Sequence, residues 1–286
     1  MMKITSVMGN SQKLDGGAMF GNVPKNMWAK WVSVDEQNRI DLACRALLIE
    51  QDNRKILLET GIGNFFEPKL KSRFGVQESE HVLLQNLQKL GINHKDIDAI
   101  ILSHLHFDHA GGLLSSWKQN QPNELLFPNA RYYVGNIAWE RAINPHPRDR
   151  ASFIPQLNTL LENSGRLYLI DKEFDAWLGD SFKFHMSHGH TKGMLLTQLQ
   201  LPSGPLLFAA DLIPGQAWVH VPITMGYDRY PELLIDEKSD MLQSLVQQHG
   251  KLFFTHDAEI ACGSVAVDNK NRYYLVDVIK ELCISF

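Results

Sequence analysis

Residues 97–112 read IDAIILSHLHFDHAGG. The run 97–103 has the apolar character of a buried strand, and three histidines and an aspartate follow it within six residues: His104, His106, Asp108 and His109. In an extended segment side chains alternate with period two, so His104 and His106 project to the same side. The chain must then turn, which lets Asp108 and His109 present to an adjacent point. Gly111 and Gly112 permit a tight turn and close packing there. Imidazoles together with carboxylate suit zinc, and also iron, manganese or cobalt. The alternative is a solvated polar loop, and the density of the spacing outweighs it.

Four groups in one loop do not complete two metal sites, so other strand ends must contribute. Three do. SHGHTKG (187–193) offers His188 and His190, PLLFAAD (205–211) ends on Asp211, and FFTHDAE (253–259) carries His256. Taken singly, an aspartate there starts a turn and a lone histidine is a hydrogen-bonded surface group. Together the four clusters match a site built from loops at one edge of a rigid scaffold.

The rest of the chain is that of an ordinary globular protein. Its 286 residues are 44% hydrophobic and 21% charged, with net charge -4, enough chain for a sizeable core and no general pull toward nucleic acid or anionic membrane. Three scattered cysteines, Cys44, Cys262 and Cys283, argue against a disulfide framework and fit a reducing compartment. With no leader-like start and no membrane-length apolar run, a cytoplasmic protein is expected. No linker or repeat divides residues 1–286, so one domain is expected.

Strands are expected at 41–50 and 54–60, paired around QDN, and at 97–103, 130–135, 166–171, 181–187, 194–201, 205–211 and 251–257. Helices are expected around Leu83, Leu87 and Leu90, stopped by Gly91, and over 237–250, with Leu242, Leu245 and Val246 on one face. The proline-rich stretch 144–158 reads as a long folded loop. Strands and flanking helices in both halves indicate α/β architecture with two sheets and outer helices.

SHLHFDHAGG, GHTKG, AAD and THD together resemble the motifs of the metallo-β-lactamase superfamily. The resemblance runs from about residue 48 to His256 and implies that superfamily's αββα four-layer sandwich. It implies one metal held by His104, His106 and His190, and a second held by Asp108, His109 and His256, with Asp211 bridging them. His190 is preferred to His188 because it directly precedes TKG. Glu59 in LLETG stands where the family often has aspartate, a position that supports the metal loop. The implied cofactors are two divalent ions, zinc first, with iron or manganese as alternatives. Two such ions about 3.5–4 Å apart share a water and make a bridging hydroxide available at neutral pH. Asp108 is the expected proton carrier, as at this position in similar enzymes.

The substrate reading comes from two further segments. DGGAMFGNVPKNMW (15–28) reads as a loop with Phe20 and Trp28, and PGQAWVHVPITMGYDRYP (214–231) adds His220 and Tyr227. Core packing and a substrate pocket are both open readings for these side chains. The segments resemble the N-acyl-homoserine-lactone lactonase-like branch and its organophosphate hydrolase-like relatives. That implies hydrolysis of a lactone or ester bearing an apolar portion, with no nucleic-acid or membrane partner and a homodimer as an open option. Phosphodiesterase, phosphotriesterase or thioesterase activity is the alternative, as is a regulatory protein with weak esterase activity. Lactonases carry a tyrosine shortly after the bridging aspartate. Here Asp211 is followed by LIPG, which leaves Tyr227 or His220 as candidates to replace it.

Overall fold

The computed structural model describes residues 2–286. Its contacts resolve into two compact units. The first comprises the residues up to Lys13, Ala43–Asp171 and Cys283–Phe286; the second comprises Leu14–Leu42 and Lys172–Leu282.

The first unit is built on a seven-stranded sheet in the order Cys283–Ser285, Met2–Met8, Arg45–Gln51, Arg54–Leu58, Ala99–Leu102, Arg131–Gly135, Leu167–Ile170. The first four strands pair antiparallel. From Arg54–Leu58 onward the pairing is parallel. The expected hairpin is present, and Asp52 and Asn53 at its tip both take positive φ, 52° and 61°. Two consecutive left-handed residues match the twist of the flanking strands, and Asn and Asp tolerate that conformation best after glycine. AIIL (99–102) lies fully buried between parallel neighbours, and its C-terminal end delivers the histidine motif.

The second unit is built on a six-stranded sheet, ordered Tyr273–Ile279, Cys262–Val267, Lys251–Phe253, Leu206–Phe208, Met194–Leu199, Phe182–Ser187. The long helix Pro231–Gln247 buries Leu234, Lys238, Leu242 and Leu245.

Several local expectations need correction. The strand expected over 41–50 is interrupted at Ala43 and Cys44; Arg39–Leu42 leaves the large sheet for a two-stranded ribbon. Residues 15–28 are not a plain loop: Gly16–Phe20 is helical, with Asp15 Oδ1 accepting from the Ala18 amide at 2.8 Å, and Lys25–Trp28 follows. The 144–158 stretch ends in the helix Pro155–Asn163, because proline at a first helical turn gives up no hydrogen bond. The same reason starts the later helix at Pro231, six residues before the expected 237. Leu90 caps the helix Val82–Lys89 and is 44% exposed, so only Leu83 and Leu87 of its leucine stripe are buried.

The two glycines after the histidine motif have a packing reason. A Cβ on Gly112 would collide with the Thr60 carbonyl oxygen, and one on Gly111 with that of Ile62. Segment 60–63 therefore runs directly against the turn that follows the metal motif. Gly112→Ala is predicted to destabilise the protein by about 1–3 kcal/mol through this backbone collision. The check is a lowered midpoint in chemical denaturation, and an unchanged midpoint would contradict it.

Candidate metal centre

Each unit carries its own set of potential ligands. In the first, the extended chain beyond Leu102 places His104 and His106 with their rings 4.4 Å apart. His106 then caps the short helix Phe107–Ala110, which presents Asp108 and His109. The three histidines are 1%, 6% and 0% exposed, whereas the Asp108 side chain retains 15% exposure. Burial of this kind requires each ring nitrogen to find a partner. Ser103 Oγ lies 2.9 Å from His104 Nδ1. Glu59 Oε2 lies 3.2 Å from His109 Nδ1, and its other oxygen accepts from the Ser103 amide at 2.6 Å. Glu59 reaches both because it directly follows Arg54–Leu58, the parallel neighbour of AIIL. It is fully buried with φ 65°, a conformation that costs a non-glycine residue about 1–3 kcal/mol.

These contacts leave Nε2 of His104 and of His109 as the outward-facing nitrogens. His104 Nε2 is 3.0 Å from His106 Nδ1. Two nitrogens held at about 2.0–2.1 Å by one tetrahedral zinc would stand roughly 3.3 Å apart, so the pair fits a shared ion. Asp108 Oδ1 lies 3.8 Å from His109 Nε2, and its other oxygen accepts from Gln12 Nε2 at 3.1 Å.

In the second unit, Asp211 sits in a single helical turn beyond Leu206–Phe208, 5% exposed. Its Oδ2 is 3.1 Å from His190 Nε2 and its Oδ1 is 3.2 Å from His256 Nε2. One carboxylate thus faces two imidazoles, each with a different oxygen. His190 Nδ1 lies 2.9 Å from Asp228 Oδ1, the carboxylate partner that commonly fixes the tautomer of a metal-binding histidine. His188 behaves differently: it is half-buried, and its Nδ1 accepts from the Gly193 amide at 3.1 Å, closing the HGHTKG turn. The buried histidines and carboxylates of both sets have the donor chemistry for divalent ions of the zinc, iron and manganese type.

The aromatic candidates separate. Phe20 and Trp28, 0% and 1% exposed, form a stack with Trp218, with centroids 5.3 Å and 4.5 Å from Phe20. His220 lines a cavity of about 770 Å³ in the second unit, together with Trp31, Trp218, Ile260, Tyr274 and His256. Phe20, Trp28 and Tyr227 do not line that cavity, and Tyr227 is 41% exposed. Sequence reasoning missed Gln12 and Asp228 as partners of ligand-type side chains. Asp228 lies in the segment 214–231, but nothing in the local sequence pairs it with His190.

Buried imidazoles and carboxylates at strand ends form a candidate metal centre, and the family that the chain matches makes it a metallo-hydrolase. The chain belongs to the metallo-β-lactamase superfamily, whose family model matches residues 39–256, and it has that superfamily's fold. A solved structure of a probable metal-dependent hydrolase from Staphylococcus aureus is 30% identical and covers 97% of this chain and 98% of that one, with a TM-score of 0.85. The dizinc quorum-quenching lactonase AidC, solved with a product, is 22% identical over 96% of this chain and 94% of that one, with a TM-score of 0.75. An N-acyl homoserine lactonase of Bacillus thuringiensis is 24% identical over 234 residues, 77% of this chain and 83% of that one.

The geometry separates the two histidines of the HGHTKG turn by experiment. His188→Ala is predicted to cost about 0.5–1.5 kcal/mol of stability, the worth of one hydrogen bond, and to leave zinc binding intact. His190→Ala should lose zinc. Chelator-competition titration of both variants checks this, and zinc loss in His188→Ala alone would reverse the assignment.

Proposed function

We propose that this chain is a dinuclear metal-dependent hydrolase of lactones or esters, with an acyl-homoserine lactone as the model substrate. On this reading, residues 1–286 act as one metallo-β-lactamase domain. His104, His106 and His190 would hold one ion and Asp108, His109 and His256 the other, with Asp211 available to both. The observation that carries the proposal is the Asp211 carboxylate, whose two oxygens face His190 and His256 at 3.1 and 3.2 Å. The lactonase names of the relatives support the substrate class. The family match supports the single-domain reading, since residues 39–256 draw on both units.

When bound, a pair of divalent ions, zinc first, supplies Lewis acidity and lowers the pKa of water toward ~7. The chain's own residues then have defined work. In hydrolysis, water oxygen bonds to the acyl carbon, the ester C–O bond breaks, and a proton must travel to the departing oxygen. Asp108 suits that transfer because its carboxylate is the most accessible of the set and Gln12 holds it in place at 3.1 Å. The cavity that contains both His256 and His220 would receive the apolar portion of the substrate, walled by Trp31, Trp218 and Ile260. His220 is the better placed of the two candidates for the missing lactonase tyrosine, because it lines this cavity and Tyr227 does not. Phe20 and Trp28 would shape the pocket from behind, through the stack on Trp218.

Among the described residues no helix is long and apolar enough to cross a membrane. We propose a cytoplasmic enzyme that acts on small molecules, with neither nucleic acid nor membrane as partner.

A panel of acyl lactones, phosphodiesters, phosphotriesters and thioesters on the metal-loaded protein tests the substrate class. Acyl lactones should be turned over fastest. Their kcat/KM should rise up to about four-fold per added CH₂, equivalent to ~0.8 kcal/mol, until the cavity is filled. Asp108→Ala should lower kcat by at least ~100-fold. A phosphodiester or thioester that beats every lactone by ~100-fold, about 2.7 kcal/mol in transition-state binding, would overturn the lactonase reading. Uniformly poor rates would favour a regulatory protein.

A further inference from the structure

The helix Pro231–Gln247 carries two adjacent charged residues, Glu237 and Lys238, that grip the two segments around His190. Glu237 Oε2 accepts from Ser187 Oγ at 2.6 Å and from the Gly189 amide at 3.1 Å, while Oε1 accepts from the His188 amide at 2.7 Å. Three donors immediately preceding His190 thus end on one carboxylate. Gly189 lets the loop lie on the helix, since a Cβ there would collide with the backbone of Leu234. Lys238 is 0% exposed, and its Nζ donates to the Ile223 carbonyl at 2.6 Å. Ile223 opens the segment that ends on Asp228, whose Oδ2 accepts from the Met225 amide at 2.6 Å and whose Oδ1 meets His190 Nδ1 at 2.9 Å. Burial pushes the lysine down to about 8, and the negative charge of Asp228 works the other way.

A fully buried lysine is a costly way to build a core, and apolar replacements of buried charges are often neutral or stabilising. Its cost needs a return other than stability. We propose that Lys238 and Glu237 are positioning residues that clamp the His190 loop and the Asp228 segment to one helix, so that His190 Nε2 is held ready for a metal ion. The inference rests on the reading of His190 as a ligand. Glu237 sets the loop's path, and Lys238 sets Asp228, which sets the ring. Removing either leaves the imidazole free to rotate or change tautomer, and the loss falls on metal affinity before it falls on folding.

The test compares wild type, Lys238→Met, Glu237→Gln, Asp228→Asn and the Lys238→Met/Asp228→Asn double variant. Two quantities are measured for each: zinc affinity by chelator competition, and the melting temperature of the metal-free protein. Lys238→Met should bind zinc about 10–100-fold more weakly, with a metal-free melting temperature equal to or above wild type. The double variant should lose no more affinity than its weaker single parent, because Lys238 acts through Asp228. Wild-type zinc affinity in Lys238→Met, or losses that multiply in the double variant, would overturn the clamp. If Lys238→Met does not fold, Glu237→Gln decides: it should weaken zinc binding while the metal-free protein stays folded, and wild-type affinity overturns the proposal. A wild-type protein that binds no zinc overturns the reading of His190 as a ligand, and the clamp with it.

Discussion

An imidazole taken out of water needs a partner for each ring nitrogen, and this constraint organises both ligand sets. Where one nitrogen is met by a carboxylate or hydroxyl of the chain, the other is fixed in tautomer and direction. Ser103 does this for His104 and Asp228 for His190, while Glu59 Oε2 lies 3.2 Å from His109 Nδ1. The supporting groups are themselves held. Glu59 accepts the Ser103 amide from a buried left-handed position, and Asp228 accepts the Met225 amide.

The sheets supply the rigidity on which this depends. AIIL sits between two parallel strands, so the residue after it and the residue after Arg54–Leu58 emerge at the same end of the sheet. That is why a glutamate 44 positions away in sequence can hold the Ser103 amide. The second unit repeats the device: Asp211 follows one strand, His256 follows its parallel neighbour Lys251–Phe253, and both reach the same carboxylate–imidazole contact. Parallel pairing brings strand ends together, and the ligand-type residues sit at those ends.

This also explains what the sequence disclosed. The hairpin at 45–58, the strands around the motifs and the helix ended by Gly91 were legible, because alternation, leucine spacing and turn residues are local signals. Residues His104, His106, Asp108 and His109 were conspicuous for the same reason. The helices Pro155–Asn163 and Asn136–Ile143 were missed, the first hidden behind a run of prolines that starts a helix as readily as it forms a loop. The strands Cys262–Val267 and Tyr273–Ile279 were not foreseen either. Gln12 meets Asp108 across 96 residues and Asp228 meets His190 across 38, and such pairings are set by register and packing that no short window encodes. Phe20 and Trp28 were legible as large aromatics, but only the fold distinguishes a buried stack from a pocket wall.

The proposed dinuclear site requires Asp211 to be shared by two metal ions. Zinc stoichiometry is its most direct test, by titration of chelator-treated wild type and Asp211→Asn followed by elemental analysis after gel filtration. Two zinc ions per wild-type chain are expected, with weakened occupancy of both in Asp211→Asn, because a bridging carboxylate would contribute charge to each. A single zinc in the wild type, or two retained undiminished in Asp211→Asn, would contradict it.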